Sequence, residues 1–157
     1  MTSKYYLDEI DKKILTSLTE NTRTPFTEIA KFIQCSTGTI HVRDKKLEEA
    51  GIIIGSTLKV NYEVLGYNLI AFVGILSNSN ETKAAKEELK KIPNIVQLYV
   101  TSGRYNLFCR IITKDPTDAR NVISKIGDIK GVLRTESTIC LEEIVNDENR
   151  LLRYILK

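Results

Sequence analysis

The order of apolar segments after residue 67 is the feature that most constrains the fold of this chain. Period-two and helical spacings there predict alternating strands and helices. These are a strand at 67–76, a helix at 81–91, strands at 95–101 and 105–113, a helix from Pro116, and a strand at about 132–144. This β-α-β-β-α-β order predicts an α+β fold in which an antiparallel sheet carries both helices on one face, the ferredoxin-like arrangement.

The predicted sheet is apolar on both faces. Leu107, Cys109 and Ile111 alternate with Phe108 and Ile112 along one strand. Because the two helices cover only one face, the other face requires a partner, and a second copy of the same sheet is the simplest one. The pattern therefore predicts a homodimer.

The first fifty residues predict three short helices. The first can start at Asp8, and the third has Ser36 as its N-cap and stops at Gly51. Their apolar stripes are Leu7, Ile10, Ile14 and Leu18, then Ile29, Ala30 and Ile33, then Ile40, Leu47 and Ala50. A leading helix followed by two helices across a turn of about three residues indicates a helix-turn-helix.

The outer face of the third helix is where a DNA groove would meet such a module. Hydroxyls there can bond base edges or phosphates, an aliphatic side chain can touch a thymine methyl, and lysines can neutralise phosphates. The residues predicted to bind DNA are Ser36, Thr37, Gly38, Thr39, His41, Val42, Arg43, Lys45 and Lys46. The competing interpretation is a solvated helix face in a protein-interaction module.

Arg43 and His41 have their own alternatives. Arg43 lies about 60° from the direction of Ile40, so it either reaches a phosphate or pairs inside the protein with Asp11 or Glu28. His41 stands among exposed residues as the only histidine, which favours a polar DNA contact over a metal ligand.

Composition narrows the class of protein without identifying a function. The chain has 157 residues, 42% of them hydrophobic and 27% charged, which is typical of a globular protein. The longest apolar run, 69–76, is far below the ~18 residues of a membrane span. An acidic N-terminus argues against a signal peptide, so we expect a cytoplasmic protein without a membrane partner. The net charge of +3 does not by itself indicate DNA binding.

No catalytic or cofactor-binding constellation emerges from the sequence. Cys35, Cys109 and Cys140 are widely spaced, as expected of reduced, packed thiols. We predict no catalytic residue, no metal and no cofactor, because no acid, base or nucleophile stands at a suitable spacing. The alternative is a ferredoxin-like small-molecule sensor or enzyme whose N-terminal helices serve only protein contacts.

Seven short stretches together resemble the Lrp/AsnC family of transcriptional regulators. They are LDEIDKKIL at 7–15, EIAK at 28–31, GTIHVR at 38–43, AGIIIG at 50–55, LGY at 65–67, TSGRY at 101–105 and GV at 131–132. Each is weak alone, but their order and spacing are specific. The stretch at 38–43 is most similar to the AsnC branch, whereas 141–151 is more similar to the leucine-responsive branch.

The resemblance implies an architecture and an assembly. It implies a winged helix-turn-helix domain at 1–51, an extended connector at 52–66, and a ferredoxin-like ligand-binding and oligomerisation domain at 67–157. Dimers would join through the sheets and often form rings of four dimers, an octamer. The partners implied are double-stranded DNA, further copies of the chain, and a small amino acid that could be asparagine, leucine or another. The segment 146–157 suits either a strand or a helix.

The family binds its amino acid near the loop between the second and third strands of the regulatory domain. The implied ligand-binding residues here are Thr101, Ser102, Gly103, Arg104, Tyr105 and Asn106, with Thr135, Ser137 and Thr138 contributed by a facing dimer. Many members have Asp after the aromatic residue, where a carboxylate could pair with an α-ammonium. This chain has Asn106, which keeps an acceptor but loses the charge.

Overall fold

The computed structural model describes residues 5–157, which divide into two compact units, residues 5–59 with Val145–Lys157, and Val60–Ile144. The first unit contains α1 (Glu9–Glu20), α2 (Phe26–Ile33), α3 (Thr37–Glu49) and α6 (Arg150–Ile155). The second contains β1 (Leu69–Ser77), α4 (Thr82–Leu89), β2 (Ile95–Val100), β3 (Leu107–Thr113), α5 (Pro116–Gly127) and β4 (Val132–Ile139). The predicted order of helices and strands is confirmed.

Local capping sets where the N-terminal helices begin. The Asp8 side chain accepts from the Asp11 amide, and the Asp11 carboxylate accepts in return from the Asp8 amide, which forms a capping box at α1. Ser36 caps α3 by accepting from the Thr39 amide at 3.0 Å. Gln34 joins α2 to α3 in a left-handed conformation, with φ of 63°.

The N-terminal unit has its own hydrophobic core, to which the C-terminal segment contributes. Fully buried residues from the three helices form it: Ile14, Leu15, Ile29, Ala30, Ile40 and Leu47. Leu156, just after α6, packs against this cluster. The structure groups residues 145–157 with the N-terminal unit, although the sequence predicted them as part of the domain at 67–157, and Leu156 is the residue of this segment that packs on the N-terminal core.

The second unit is a four-stranded antiparallel sheet with strand order β2-β3-β1-β4. Residues of β1 and β3 that point to one face are completely buried against Leu89 of α4 and against Val122 and Ile126 of α5. The inward residues of the two strands are Ala71, Val73, Ile75, Leu107, Cys109 and Ile111. This arrangement confirms the ferredoxin-like prediction.

The other face of the sheet, here called the open face, carries aromatic side chains. Phe72 pairs with Thr138 and lies beside Phe108, with the two rings stacked 6.2 Å apart. Tyr99 lies opposite Phe108 and is 49% exposed. The two helices of this unit, α4 and α5, pack on the opposite face.

The last predicted strand is shorter in the structure. β4 ends at Ile139 rather than 144, because its pairing with β1 ends at Ala71 and the Cys140 amide makes the last bond, to Ile70. Residues 52–60 form neither helix nor strand, so the wing implied by the resemblance has no strand within residues 5–157 of this chain.

Candidate functional site

The outer face of α3 is open to solvent. All nine residues predicted to bind DNA lie on α3 or at its N-cap. Ser36, Gly38, His41, Val42, Lys45 and Lys46 are exposed, and Thr37 and Thr39 are half-buried. Ile40 and Leu47 are completely buried on the opposite side. The helix therefore offers a polar and basic surface while its apolar side is fixed in the core.

The N-terminal end of this surface is a compact polar group. The Ser36 and Thr39 hydroxyl oxygens lie 2.8 Å apart, and Ser36 also accepts from the Thr39 amide. Val42, one turn further along, is 55% exposed, so its methyl groups are available on this surface. Residues near the N-terminus of a recognition helix are those that reach base edges.

Two lysines extend this surface toward the end of α3. Lys45 is 76% exposed and lies 3.8 Å from Glu49, a loose surface pair that a phosphate can replace. Lys46 is exposed as well. The side chain of His41 packs edge-on against Phe26 of α2, with ring centroids 4.8 Å apart, which orients its imidazole without burying it.

Arg43 does not share this exposure. Its Nη1 donates to Asp8 Oδ2 at 2.6 Å and to Asp11 Oδ1 at 3.4 Å, and the side chain is 29% exposed. Of the two alternatives, the structure has the intramolecular pair, with Asp8 in addition to Asp11 and without Glu28. The Asp11 amide and the Arg43 guanidinium hold the pKa of Asp8 below its usual range.

The β2–β3 loop, residues 101–106, is held by its own backbone. The Thr101 amide donates to the Asn106 carbonyl at 3.1 Å, and the Thr101 hydroxyl donates to the Tyr105 carbonyl at 2.6 Å. Gly103 has φ of 148°, a conformation that favours glycine. Ser102 and Arg104 are exposed beside it. The loop is therefore a closed turn that presents polar groups outward.

Asn106 is occupied by the sheet. Its Oδ1 accepts from the Ser77 amide at 2.8 Å, and its Nδ2 donates to the Ser77 carbonyl at 2.9 Å. This pair of bonds joins the end of β1 to the start of β3, where the ladder between these strands ends at Ile75 and Leu107. Because a carboxylate has no N–H, it could not make the second bond. The Asn at this position has a structural role that sequence reasoning missed.

Tyr105 and Glu136 form a charged cluster at the edge of the open face. The Tyr105 hydroxyl donates to Glu136, whose carboxylate also lies 3.3 Å from Arg104 and 3.8 Å from Arg134. The hydrogen bond from Tyr105 lowers the pKa of Glu136, and the same bond raises the pKa of Tyr105. Glu136 was not among the predicted residues, although strand alternation places it on one face with Arg134.

The three predicted β4 residues do not lie on one face. Thr135 pairs with Ile75 and Ser137 pairs with Val73, so both belong to the side of the core. Thr138 pairs with Phe72 on the open face. The structure therefore brings Thr138 to the same face as the Tyr105 and Glu136 cluster, and places Thr135 and Ser137 on the other face.

Residues 5–157 contain no group of three or more His, Cys, Asp or Glu side chains arranged to hold a metal ion. No helix in this part of the chain is long and apolar enough to cross a membrane. Burial raises the pKa of the Cys109 thiol to about 12, which makes it an unreactive core residue at neutral pH.

A helix-turn-helix joined to a ferredoxin-like sheet with a polar loop cluster defines a class: regulators that couple a DNA-binding unit to a ligand-binding unit. Residues 7–48 match the AsnC-type helix-turn-helix domain, and residues 70–149 match the Lrp/AsnC ligand binding domain. The chain belongs to the Lrp/AsnC family of transcriptional regulators.

Individual relatives agree with this assignment. The chain is 40% identical to the HTH-type transcriptional regulator LrpA of Pyrococcus abyssi over 139 residues, covering 88% of this chain and 99% of the relative. It is 35% identical to the regulatory protein AsnC of Escherichia coli over 140 residues, covering 88% and 92%. These matches favour a regulator over a module whose helices serve only protein contacts.

Solved structures share the fold. The structure of Escherichia coli AsnC matches with a TM-score of 0.84 and 33% identity, covering 90% of this chain and 97% of that chain. A transcriptional regulator from Neisseria meningitidis in complex with L-Met matches with a TM-score of 0.87 and 23% identity, covering 96% and 99%. The latter likeness concerns the fold alone.

Proposed function

We propose that the chain binds specific sites in double-stranded DNA as a symmetric dimer, and that a small amino acid changes its assembly or its affinity for DNA. The observation that carries the proposal is the outer face of α3, which is exposed and bears hydroxyls, Val42 and two lysines. In this arrangement Thr39 and Val42 read base edges, and Lys45 and Lys46 neutralise phosphates.

The open face supports the dimer. Phe72, Phe108 and the half-exposed Tyr99 form an aromatic surface that the two helices of the unit do not cover. A second copy of the same face would bury these rings through a two-fold axis. Two copies of α3 presented in this way would enter successive major grooves about 34 Å apart, so the recognised sites would be palindromic.

The amino acid site is proposed at the β2–β3 loop. Arg104 and Arg134 supply guanidinium groups for a carboxylate, and Glu136 supplies a carboxylate for an ammonium group. Asn106 uses one lone pair and one N–H of its carboxamide on Ser77, which leaves one lone pair and one N–H for a ligand. Residues 70–149 match the Lrp/AsnC ligand binding domain, and a regulator with the same fold was solved with L-Met, so an amino acid is the class of ligand we propose.

The DNA interface is tested by salt titration of binding. Lys45→Ala is expected to weaken binding to all duplexes and to lower the slope of log affinity against log salt by about one unit. Lys90→Ala is the matched control, since Lys90, at the C-cap of α4, is also an exposed lysine paired with a glutamate of its own helix. An unchanged slope for Lys45→Ala would remove this residue from the interface.

The dimer and the ligand need separate experiments. Tyr99→Glu is expected to halve the mass measured by light scattering, whereas Tyr154→Glu on the exposed side of α6 is the control. A thermal-shift panel of the common amino acids, followed by gel shifts, tests the effector. Unaltered melting with every amino acid contradicts the effector part of the proposal and leaves the DNA part standing.

A further inference from the structure

Arg43 is on α3, but its side chain is bonded to Asp8 and Asp11 at the start of α1. The role proposed for it here rests on the proposed DNA-binding function. We propose that Asp8 and Asp11, by bonding Arg43, hold the recognition helix α3 in the orientation in which its outer face meets the DNA bases. Arg43 is a positioning residue and makes no phosphate contact. The residues that direct DNA recognition therefore include two carboxylates on α1, a helix that carries none of the predicted base-reading side chains.

Arg43, Asp8 and Asp11, here called the anchor, are joined by directional hydrogen bonds. The Arg43 guanidinium bonds carboxylates of the N-cap and the first turn of α1, at 2.6 Å from Asp8 and 3.4 Å from Asp11. Asp11 is only 1% exposed and also accepts from the Tyr5 hydroxyl and the Asp8 amide, both at 3.3 Å. A buried carboxylate is costly without charged or hydrogen-bonding partners, so the buried Asp11 favours the position in which Arg43 lies beside it.

The anchor supplies what apolar packing does not. Ile40 and Leu47 bury α3, but hydrophobic contact is non-directional and permits some rotation of the helix about its axis. A side-chain tip lies about 6 Å from that axis, so a rotation of roughly 20° moves it by about 2 Å, which is enough to break a hydrogen bond. Directional bonds from Arg43, next to Val42 in sequence, prevent that rotation.

Asp8→Asn separates two effects on DNA affinity, because the loss of a negative charge and the loss of the bond to Arg43 should change the affinity in opposite directions. Removal of a negative charge near a DNA-binding face should by itself strengthen binding to any duplex. If Asp8 positions α3, the same change should weaken sequence-specific binding. Asparagine is isosteric and is also a good N-cap, so α1 remains capped.

The matched control is Glu9→Gln. Glu9 is in the same turn of α1, is exposed, and pairs only with Lys12 in the described ion pairs. This variant removes one negative charge without touching Arg43. The measurement is the ratio of affinity for a duplex selected by the unaltered protein from a random library to affinity for a scrambled duplex, below the melting range of every variant.

We expect Asp8→Asn to lower this ratio by about fivefold or more, as loss of a charge-assisted hydrogen bond implies, and Glu9→Gln to leave it unchanged. Equal ratios for the two variants overturn the inference. In Arg43→Gln, the salt slope should stay as in the unaltered protein; a slope lowered by about one unit identifies a phosphate contact and overturns it as well. Failure of the unaltered protein to select any duplex instead refutes the proposed function.

Discussion

Replacement of Asn106 by Asp tests whether this position is a structural clamp. The change keeps the oxygen that accepts from the Ser77 amide but puts a carboxylate oxygen where Nδ2 donates to the Ser77 carbonyl, at 2.9 Å. One hydrogen bond is lost, worth about 1 kcal/mol, and the carbonyl of the buried Ser77 faces a negative charge. We expect a loss of about 2 kcal/mol in the free energy of unfolding at neutral pH.

The pH dependence of the stability of Asn106→Asp provides a second test of the same prediction. A carboxylate held against a carbonyl would have its pKa raised in the folded state, so the variant should recover stability relative to the unaltered protein as pH falls through that raised value. Protonation restores an O–H that can donate to Ser77. Urea unfolding followed by circular dichroism at several pH values measures both effects.

The control for this experiment is Asn68→Asp, because Asn68 is exposed. It introduces the same charge into the same unit away from Ser77. If Asn106→Asp is as stable as the control at neutral pH, the two hydrogen bonds of the carboxamide do not stabilise the sheet and the reasoning is refuted.

Three further predictions test local features. A Cβ on Gly74 would lie 2.5 Å from the Tyr105 ring, so Gly74→Ala should lower the free energy of unfolding by about 1–3 kcal/mol. The control is Gly127→Ala, which has open space around its Cβ and should raise the free energy of unfolding slightly. Thermal unfolding of both variants measures the difference. Gln34→Gly should add about 0.5–1 kcal/mol in urea unfolding, because φ of 63° costs a side-chain-bearing residue; a loss would contradict this. Asp8 has a lowered pKa, so its stabilising contribution is present above its unfolded pKa of roughly 3.9 and is lost as pH falls through the lower folded value; an Asp8→Asn variant with an equally steep acid transition would contradict this.

Features set by neighbours in sequence could be predicted. The starts of α1 and α3 follow from Asp8 and Ser36, since capping needs only a side chain and an amide three residues on. The strand and helix order of the second unit follows from alternating apolar patterns of sufficient length. The outer face of α3 follows from helix periodicity in the same way.

Features that depend on residues far apart in the sequence could not be predicted. The end of β4 depends on where β1 stops offering a partner, and the role of Asn106 depends on Ser77, 29 residues away. The same holds for Asp8 as a partner of Arg43, 35 residues apart. The short apolar segment after residue 149 fits a strand and a helix equally from its sequence, and in the structure it is a helix, α6, followed by Leu156, which packs on the N-terminal core.

The return of the chain terminus to the N-terminal unit affects how the protein can be dissected. A fragment that stops at Lys59 would lack Leu156 and expose the surface it covers. Excision of the sheet from the interior is the better route, since Lys59 Nζ lies 3.4 Å from the Asn146 carbonyl oxygen and a short linker could rejoin the cut ends. A fluorophore attached at Lys157 would accordingly report on the unit that carries α3, even though the sheet precedes it in the chain.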